Sequence, residues 1–268
     1  MEPGKTALVL SGGGSRGAAE AGFYRALVEL GIKVDFVIGA SVGAINGAFI
    51  ASGMTPAWLS RLWRDFSRSR RFSFNWSLLH SPFGADSLLR TEGLRRFLAE
   101  SLPFKNFETL PLPLTVVATG LLQGAPLYIE GRGDLVTALM ASTALPLYFP
   151  PVWVDGEQCV DGGVTDNSPL AAAVARGASR VFCFRCDCDA DMSQPARGLL
   201  DVHNRSFHIA IKQGLRRDMD ACWEKAKLVV VDSCLLSSPA LLDFSRSEEL
   251  IEQAYHASLA HLSGAVDE

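Results

Sequence analysis

The chain has 268 residues, 48% of them hydrophobic and 20% charged, with a formal net charge of −4. That length and apolar fraction suffice for one large core, so residues 1–268 are expected to form a single domain. The slightly acidic balance excludes a chain-wide electrostatic basis for binding nucleic acid and leaves only local basic patches to inspect.

Before the glycines at 12–14 the chain has only the short apolar run 6–10. That is too short for a signal-peptide core or a membrane span, so a cytoplasmic location is expected. The segments "TALVLS", "GAAEAGFYRALVELG", "VDFVIGA" and "VGAINGAFIASG" then alternate strand, helix, strand, helix. A βαβα opening implies a three-layer α/β/α fold, its mainly parallel central sheet covered by helices on both faces. In the first helix Phe23, Leu27 and Leu30 recur at helical spacing and Gly31 supplies a stop. Residues 55–110 lose this regularity and form an aromatic and basic helical excursion from the sheet. Within it, Arg61, Arg64, Arg68 and Arg71 fall on one helix face, and Trp58, Leu62 and Phe66 fall largely on another. Such a helix suits peripheral contact with an anionic membrane, or equally a solvated arginine face over the domain. Strand segments return with "PLTVVATG" and "APLYIEG", followed by a helix near 134–142 and the turn "LPLYFPP". The hairpin "VWVDGEQCV" turns at Asp155-Gly156. A helix near 168–177, a strand at 180–186, a long helix near 199–226, the strand "KLVVV" and a helix near 246–262 complete the pattern.

Ser41 stands in Gly39-Ala40-Ser41-Val42-Gly43, a G-x-S-x-G placed where a strand must turn sharply into a helix. On such an elbow the serine is held away from the sheet, and small residues two positions either side let strand and helix pass closely. Ser41 is therefore a candidate nucleophile, although a serine in a tight turn can also simply cap the helix. A serine nucleophile needs a base, and its tetrahedral oxyanion needs preorganised donors. Gly12, Gly13 and Gly14 follow a strand and precede a helix, so their N–H groups favour a negative ligand atom, and Arg16 adds positive charge beside them. Residues 12–17 also spell the dinucleotide fingerprint G-x-G-x-x-G. That function wants an acidic residue at the carboxyl end of the second strand. Asp35 has nearly the right spacing but begins its strand, at the opposite sheet edge, whereas Ser41 shares the glycine loop's edge. None of His80, His203, His208, His256 and His261 stands in a motif, and each is expected to pack or face solvent. Asp161 ends a strand segment and precedes two glycines, which admit close backbone approach or mark an ordinary turn.

Together these segments resemble the patatin-like phospholipases and acyl hydrolases. The resemblance rests on G-G-G-x-R-G at 12–17, G-x-S-x-G at 39–43, "ASTALPLYFPPV" at 141–152, and D-G-G at 161–163 with "DNSP" after it. Order and spacing match over residues 5–190. It implies a Ser41–Asp161 dyad, an oxyanion hole at Gly12, Gly13 and Gly14 supported by Arg16, an elbow flanked by Gly39 and Gly43, and no catalytic histidine. The implied activity is a serine acyl hydrolase of phospholipase, lysophospholipase or esterase type, cleaving lipid esters through an acyl-serine. Gly120 departs from the pattern, which has an aspartate there. The alternative from another class is a nucleotide- or lipid-binding module that keeps the loop without chemistry.

Two weaker signals remain. The cysteines at 159, 183, 186, 188, 222 and 234 are expected to be reduced thiols, and "CFRCDC" lacks a fourth zinc ligand. Asp187, Asp189 and Asp191 have calcium-loop spacing, but Met192 stands where that loop needs glycine and Gly198 where it needs glutamate. No metal or other cofactor is expected.

Overall fold

β1 (Lys5–Leu10) shows the period-two logic of the whole sheet: Leu8 and Leu10 enter one apolar cluster, Ala7 and Val9 the other. The computed structural model describes residues 4–67, 72–80, 84–186, 195–232 and 240–266. After β1 come α1 (Ala18–Glu29), β2 (Phe36–Ala40) and α2 (Val42–Ala51). The excursion holds α3 (Pro56–Ser67), the two-residue strands β3 (Ser73–Phe74) and β4 (Leu89–Arg90), and α4 (Glu92–Ser101). β5 (Leu114–Gly120), β6 (Ala125–Glu130), α5 (Leu135–Ser142), β7 (Val152–Val154) and β8 (Glu157–Asp161) follow. The remainder is α6 (Leu170–Ala175), β9 (Ala178–Arg185), α7 (Gly198–Cys222), β10 (Lys227–Asp232) and α8 (Ser247–Val266).

The central sheet runs β10-β9-β1-β2-β5-β8-β7, with β6 also paired to β5. Pairings from β10 to β5 are parallel, and those of β6, β7 and β8 are antiparallel. Helices cover both faces, as a mainly parallel sheet requires. Phe23, Leu27, Phe49 and Ile251 of α1, α2 and α8 pack on one face, and Leu170, Ala173, Leu215 and Cys222 of α6 and α7 on the other.

One register detail positions the site. Ala40, the last residue of β2, pairs with Val117, and Asp161, the last residue of β8, pairs with the next residue, Ala118. β6 occupies the opposite edge of β5 throughout, so β2 and β8 share one edge end to end. Ser41 and Asp161 therefore emerge side by side.

The Asp155-Gly156 turn has positive φ at both residues, 48° and 82°, the type I′ conformation that matches strand twist. The helix expected over 168–177 is shorter, because Pro169 occupies its N-cap and Gly177 turns at φ 90°. In α3 the apolar face points inward: Leu59 and Trp63 are buried, and Trp58, Leu62 and Phe66 pack against the same cluster. Arg61 is exposed and Arg64 pairs with Glu248 at 3.1 Å. This helix cannot lie with its apolar face in a bilayer, and its cationic face alone remains for a surface. Arg68, Arg71, the acidic run from Asp187 to Met192 with its Cys188, and Cys234 lie outside the described residues.

Candidate active site

Ser41 caps the β2–α2 junction at φ 53°, ψ −126°, a region a side-chain-bearing residue adopts only under constraint. The constraint is close packing: a Cβ on Gly43 would lie 2.3 Å from the Leu10 carbonyl oxygen, and one on Gly39 2.5 Å from the Gly43 carbonyl oxygen. The Ser41 amide donates to Ser142 Oγ at 2.9 Å, and Ser142 Oγ donates to the Val117 carbonyl at 2.5 Å, which ties the elbow to α5 and β5. The Ser41 side chain makes no helix-capping bond. Its Oγ donates instead to Asp161 Oδ2 at 2.6 Å.

Asp161 is 2% exposed and held by its backbone on both sides: its amide donates to the Ala144 carbonyl at 2.9 Å and its carbonyl accepts from Thr119 Oγ1 at 2.9 Å. Its other carboxylate oxygen, Oδ1, accepts from the Gly163 amide at 2.8 Å. Burial pushes its pKa up to about 6, against the opposing pull of the Ser41 and Gly163 hydrogen bonds. The carboxylate is thus more basic than an exposed aspartate yet mostly ionised at neutral pH.

The glycine loop lies against the serine, since a Cβ on Gly12 would fall 3.0 Å from Ser41 Cβ. Gly12 and Asn167 clasp each other, the Gly12 amide donating to the Asn167 carbonyl at 3.2 Å and Asn167 Nδ2 donating to the Gly12 carbonyl at 3.3 Å. Arg16 Nε donates to the Gly13 carbonyl at 3.1 Å, which turns that carbonyl away from service elsewhere. Among the described residues the amides of Gly13 and Gly14 have no hydrogen-bond partner. Asp35 sits at the opposite end of β2, where its carboxylate accepts from the Thr6 amide at 2.7 Å. At Gly120, where the resemblance implies an aspartate, the Glu157 carboxylate lies 2.6 Å from where a Cβ would stand and accepts from the amides of Leu122 and Gln123.

Ser41, Asp161, the glycine loop and Arg16 line one end of a 410 Å³ cavity. Its apolar wall comes from the excursion and the later loops: Trp63, Phe66, Phe72, Phe97, Phe149 and Phe244. These rings pack on one another, Phe66 lying 4.9 Å from Phe244 and Phe72 stacking on Phe149 at 4.8 Å. Residues of α7 also line the cavity, and here the sequence expectation needs correction, because His203 and His208 are among them instead of only packing or facing solvent. Helical spacing brings His203 beside Phe207, onto which its ring stacks, while Tyr148 donates to Asn204 Oδ1 at 3.1 Å. The sequence reading quoted Asn167 only within "DNSP", with no role of its own, and passed over Asn46 and Glu20. Glu20 left a signal: it stands three and seven residues before Phe23 and Leu27, on an apolar helix face.

A family model described as patatin-like phospholipase matches residues 8–174, more than half of the chain. The chain belongs to the patatin-like phospholipase family. Patatin-like relatives include an uncharacterized NTE family protein of Mycobacterium tuberculosis, 34% identical over 167 residues, which are 62% of this chain and 45% of that protein. Patatin-like phospholipase domain-containing protein 7 of Mus musculus is 31% identical over 189 residues, covering 66% of this chain and 13% of that protein. The chain thus spans less than half the length of these relatives. Among solved structures, VipD from Legionella pneumophila aligns at a TM-score of 0.56 and 17% identity, over 98% of this chain and 67% of that one. The ExoU–SpcU complex of Pseudomonas aeruginosa aligns at 0.52 and 22%, over 99% of this chain and 52% of the other. Both likenesses concern the fold alone.

Proposed function

We propose that the protein is a serine acyl hydrolase of lipid esters working through a Ser41–Asp161 dyad, with residues 1–268 acting as one catalytic domain. The observation that carries this is the 2.6 Å contact between Ser41 Oγ and Asp161 Oδ2 at the end of an aromatic-lined cavity. A carboxylate near its ordinary pKa is a weak base, and burial corrects this by raising the pKa toward neutrality while leaving the ionised form available.

Asp161 takes the hydroxyl proton as Ser41 Oγ bonds to the ester carbonyl carbon. The carbonyl oxygen gains the displaced electron pair, and the unpartnered amides of Gly13 and Gly14 are the donors for that charge. Gly12, whose amide is engaged by Asn167, contributes by lacking a side chain and so letting the loop approach Ser41. Arg16 holds the loop through the Gly13 carbonyl. Collapse of the intermediate breaks the ester C–O bond, and Asp161 returns its proton to the departing alkoxide. Water then attacks the acyl-Ser41 carbonyl, again giving a proton to Asp161, and the second collapse releases the acid and restores the serine hydroxyl. So weak a base suits esters and thioesters, and unactivated amides fall outside its reach. The aromatic wall accepts the acyl chain, and the arginine face of α3 offers a peripheral contact to anionic membrane from the cytoplasmic side.

A fluorophosphonate probe tests this, because only an activated serine reacts with it. Mass mapping is expected to find the adduct on Ser41 and none on the S41A protein. An unlabelled wild type would favour a binding module without chemistry.

A further inference from the structure

The face of α1 that meets the sheet carries Glu20 in line with Phe23 and Leu27, and Glu20 is fully buried. A carboxyl group in such a place needs partners, and each of its partners leads to the glycine loop. Asn46 Nδ2 donates to Glu20 Oε2 at 2.7 Å and to the Gly17 carbonyl at 2.8 Å, so one amide group holds both the carboxyl and the loop's far end. Cys186 Sγ donates to Glu20 Oε1 at 3.5 Å and also lies 3.7 Å from the Arg16 carbonyl. The Cys186 amide donates to Ser11 Oγ at 2.8 Å, fixing the loop's near end, and a Cβ on Gly13 would strike Cys186 Cβ at 2.3 Å. On the cavity side, Trp63 Nε1 donates to Asn46 Oδ1 at 3.0 Å, and both residues line the cavity.

We propose, on the basis of the acyl-hydrolase function above, that Glu20 and Asn46 are positioning residues for the oxyanion loop, joined through Trp63 to the wall that contacts the acyl chain. Asn46 anchors Gly17, Cys186 braces Ser11 and Gly13, and Glu20 is the acceptor that joins the two. None of these side chains touches the reacting atoms, so their effect is on where the amides of Gly13 and Gly14 point.

The protonation of Glu20 decides whether the arrangement also suits the charge that develops in the reaction. Burial pushes its pKa up to about 8, only partly offset by hydrogen bonds from Asn46, Cys186 and Ser11. Near neutral pH the group is therefore an uncharged acid. Its Oε2 accepts from Asn46 and its proton sits on Oε1 toward Cys186 Sγ, whose own S–H then turns to the Arg16 carbonyl. The loop meets the oxyanion with no negative charge on Glu20. Above that range an ionised carboxylate with no cationic partner among the described residues would lie near the loop and oppose the oxyanion. Among the described residues the groups around it are these. Cys186 presents a thiol, Asn46 and Trp63 are neutral, and Arg16 directs its Nε to the Gly13 carbonyl. On the neighbouring helix α8, Tyr255 packs beside Gly22 but gives its hydroxyl to Glu29.

Turnover of a soluble short-chain ester from pH 5 to 10 tests this, with thermal melts as a check on folding. Wild type is expected to lose kcat along an alkaline limb near pH 8. Glu20→Gln mimics the uncharged acid without a titratable proton, its Oε1 accepting from Asn46 and its Nε2 donating toward Cys186 Sγ, so its kcat at pH 7 should stay within about threefold of wild type while the limb flattens. Glu20→Ala should lower kcat by about 10- to 100-fold with KM little changed, because misaimed donors weaken binding of the transition state more than of the substrate. Cys186→Ser keeps a donor and removes the thiol, and its limb should stay where it is in wild type. A limb unchanged in Glu20→Gln, or one abolished by Cys186→Ser, overturns the proposal, as does a folded Glu20→Ala protein with wild-type kcat. Should Glu20→Ala fail to fold, the Glu20→Gln profile alone decides. Wild type without any esterase activity would instead defeat the acyl-hydrolase function itself, and this role for Glu20 with it.

Discussion

Ser41 and Asp161 are each ordinary residues made unusual by their surroundings, the first by a backbone at φ 53° and the second by burial. The burial has a thermodynamic signature. With a folded pKa of about 6 and an unfolded value near 3.9, Asp161 binds protons more tightly in the folded state. Its contribution to stability is therefore complete below about pH 4 and is lost as pH rises through 6. Asp161→Asn does not titrate, can accept from the Gly163 amide through Oδ1 and can donate to Ser41 Oγ through Nδ2. The variant should exceed wild type in unfolding free energy by about 1–3 kcal/mol at pH 8, with the gap closing toward pH 4. Urea titrations at both pH values measure it, and a gap independent of pH would contradict an elevated Asp161 pKa. At this scale the sequence was most readable where a residue obeys a local rule. Gly39, Gly43 and Gly14 are demanded by backbones packed too closely for a Cβ, and Gly12 and Gly13 by the side chains of Asn167 and Cys186. Asn46, Asn167 and Glu20 have partners 26 to 155 residues away, and no local rule marks such pairs.

Elements follow the same division. The opening β1-α1-β2-α2 and the β7–β8 hairpin carry their signals in short windows, through periodicity and the Asp155-Gly156 turn. Helix α3 was legible as amphipathic, but amphipathicity does not say which apolar surface is met. The answer is the protein's own cavity, whose wall receives Leu62, Trp63 and Phe66. What α3 can offer a membrane is the charge of Arg61 and Arg64, worth roughly 1 kcal/mol per arginine near an anionic surface. The double variant R61E/R64E should lose binding to anionic vesicles in flotation at low salt, more than at high salt, while turnover of a soluble ester is unchanged. Equal flotation by the two proteins would leave α3 as a solvated face. Breaking the Arg64–Glu248 pair should matter little for stability, since both partners are exposed.

On the scale of the whole molecule, the site is assembled from distant parts of the chain. Ser41 follows β2, Asp161 ends β8, the glycine loop is the turn after β1, and the cavity draws on α3, α4, α7 and the loop before α8. The sheet also draws on distant sequence, since β1 sits between β2 and β9. Sequence motifs therefore marked the residues that meet at this rim but not the cavity, because His203, Phe207 and Phe244 reach it only through the packing of segments that carry no motif. Among the described residues no helix is long and apolar enough to cross a membrane. The pairing of Ser41 with a carboxylate in place of an imidazole is the central claim, and the kcat of Asp161→Asn tests it most directly, because an amide keeps the shape and cannot take a proton. With a soluble ester at pH 7.5, kcat should fall at least about a hundredfold in a protein that melts no lower than wild type. The opposite result is an Asp161→Asn enzyme that keeps wild-type turnover while glutamine at His203 or His208 abolishes it, which would transfer the role of base to a histidine of α7.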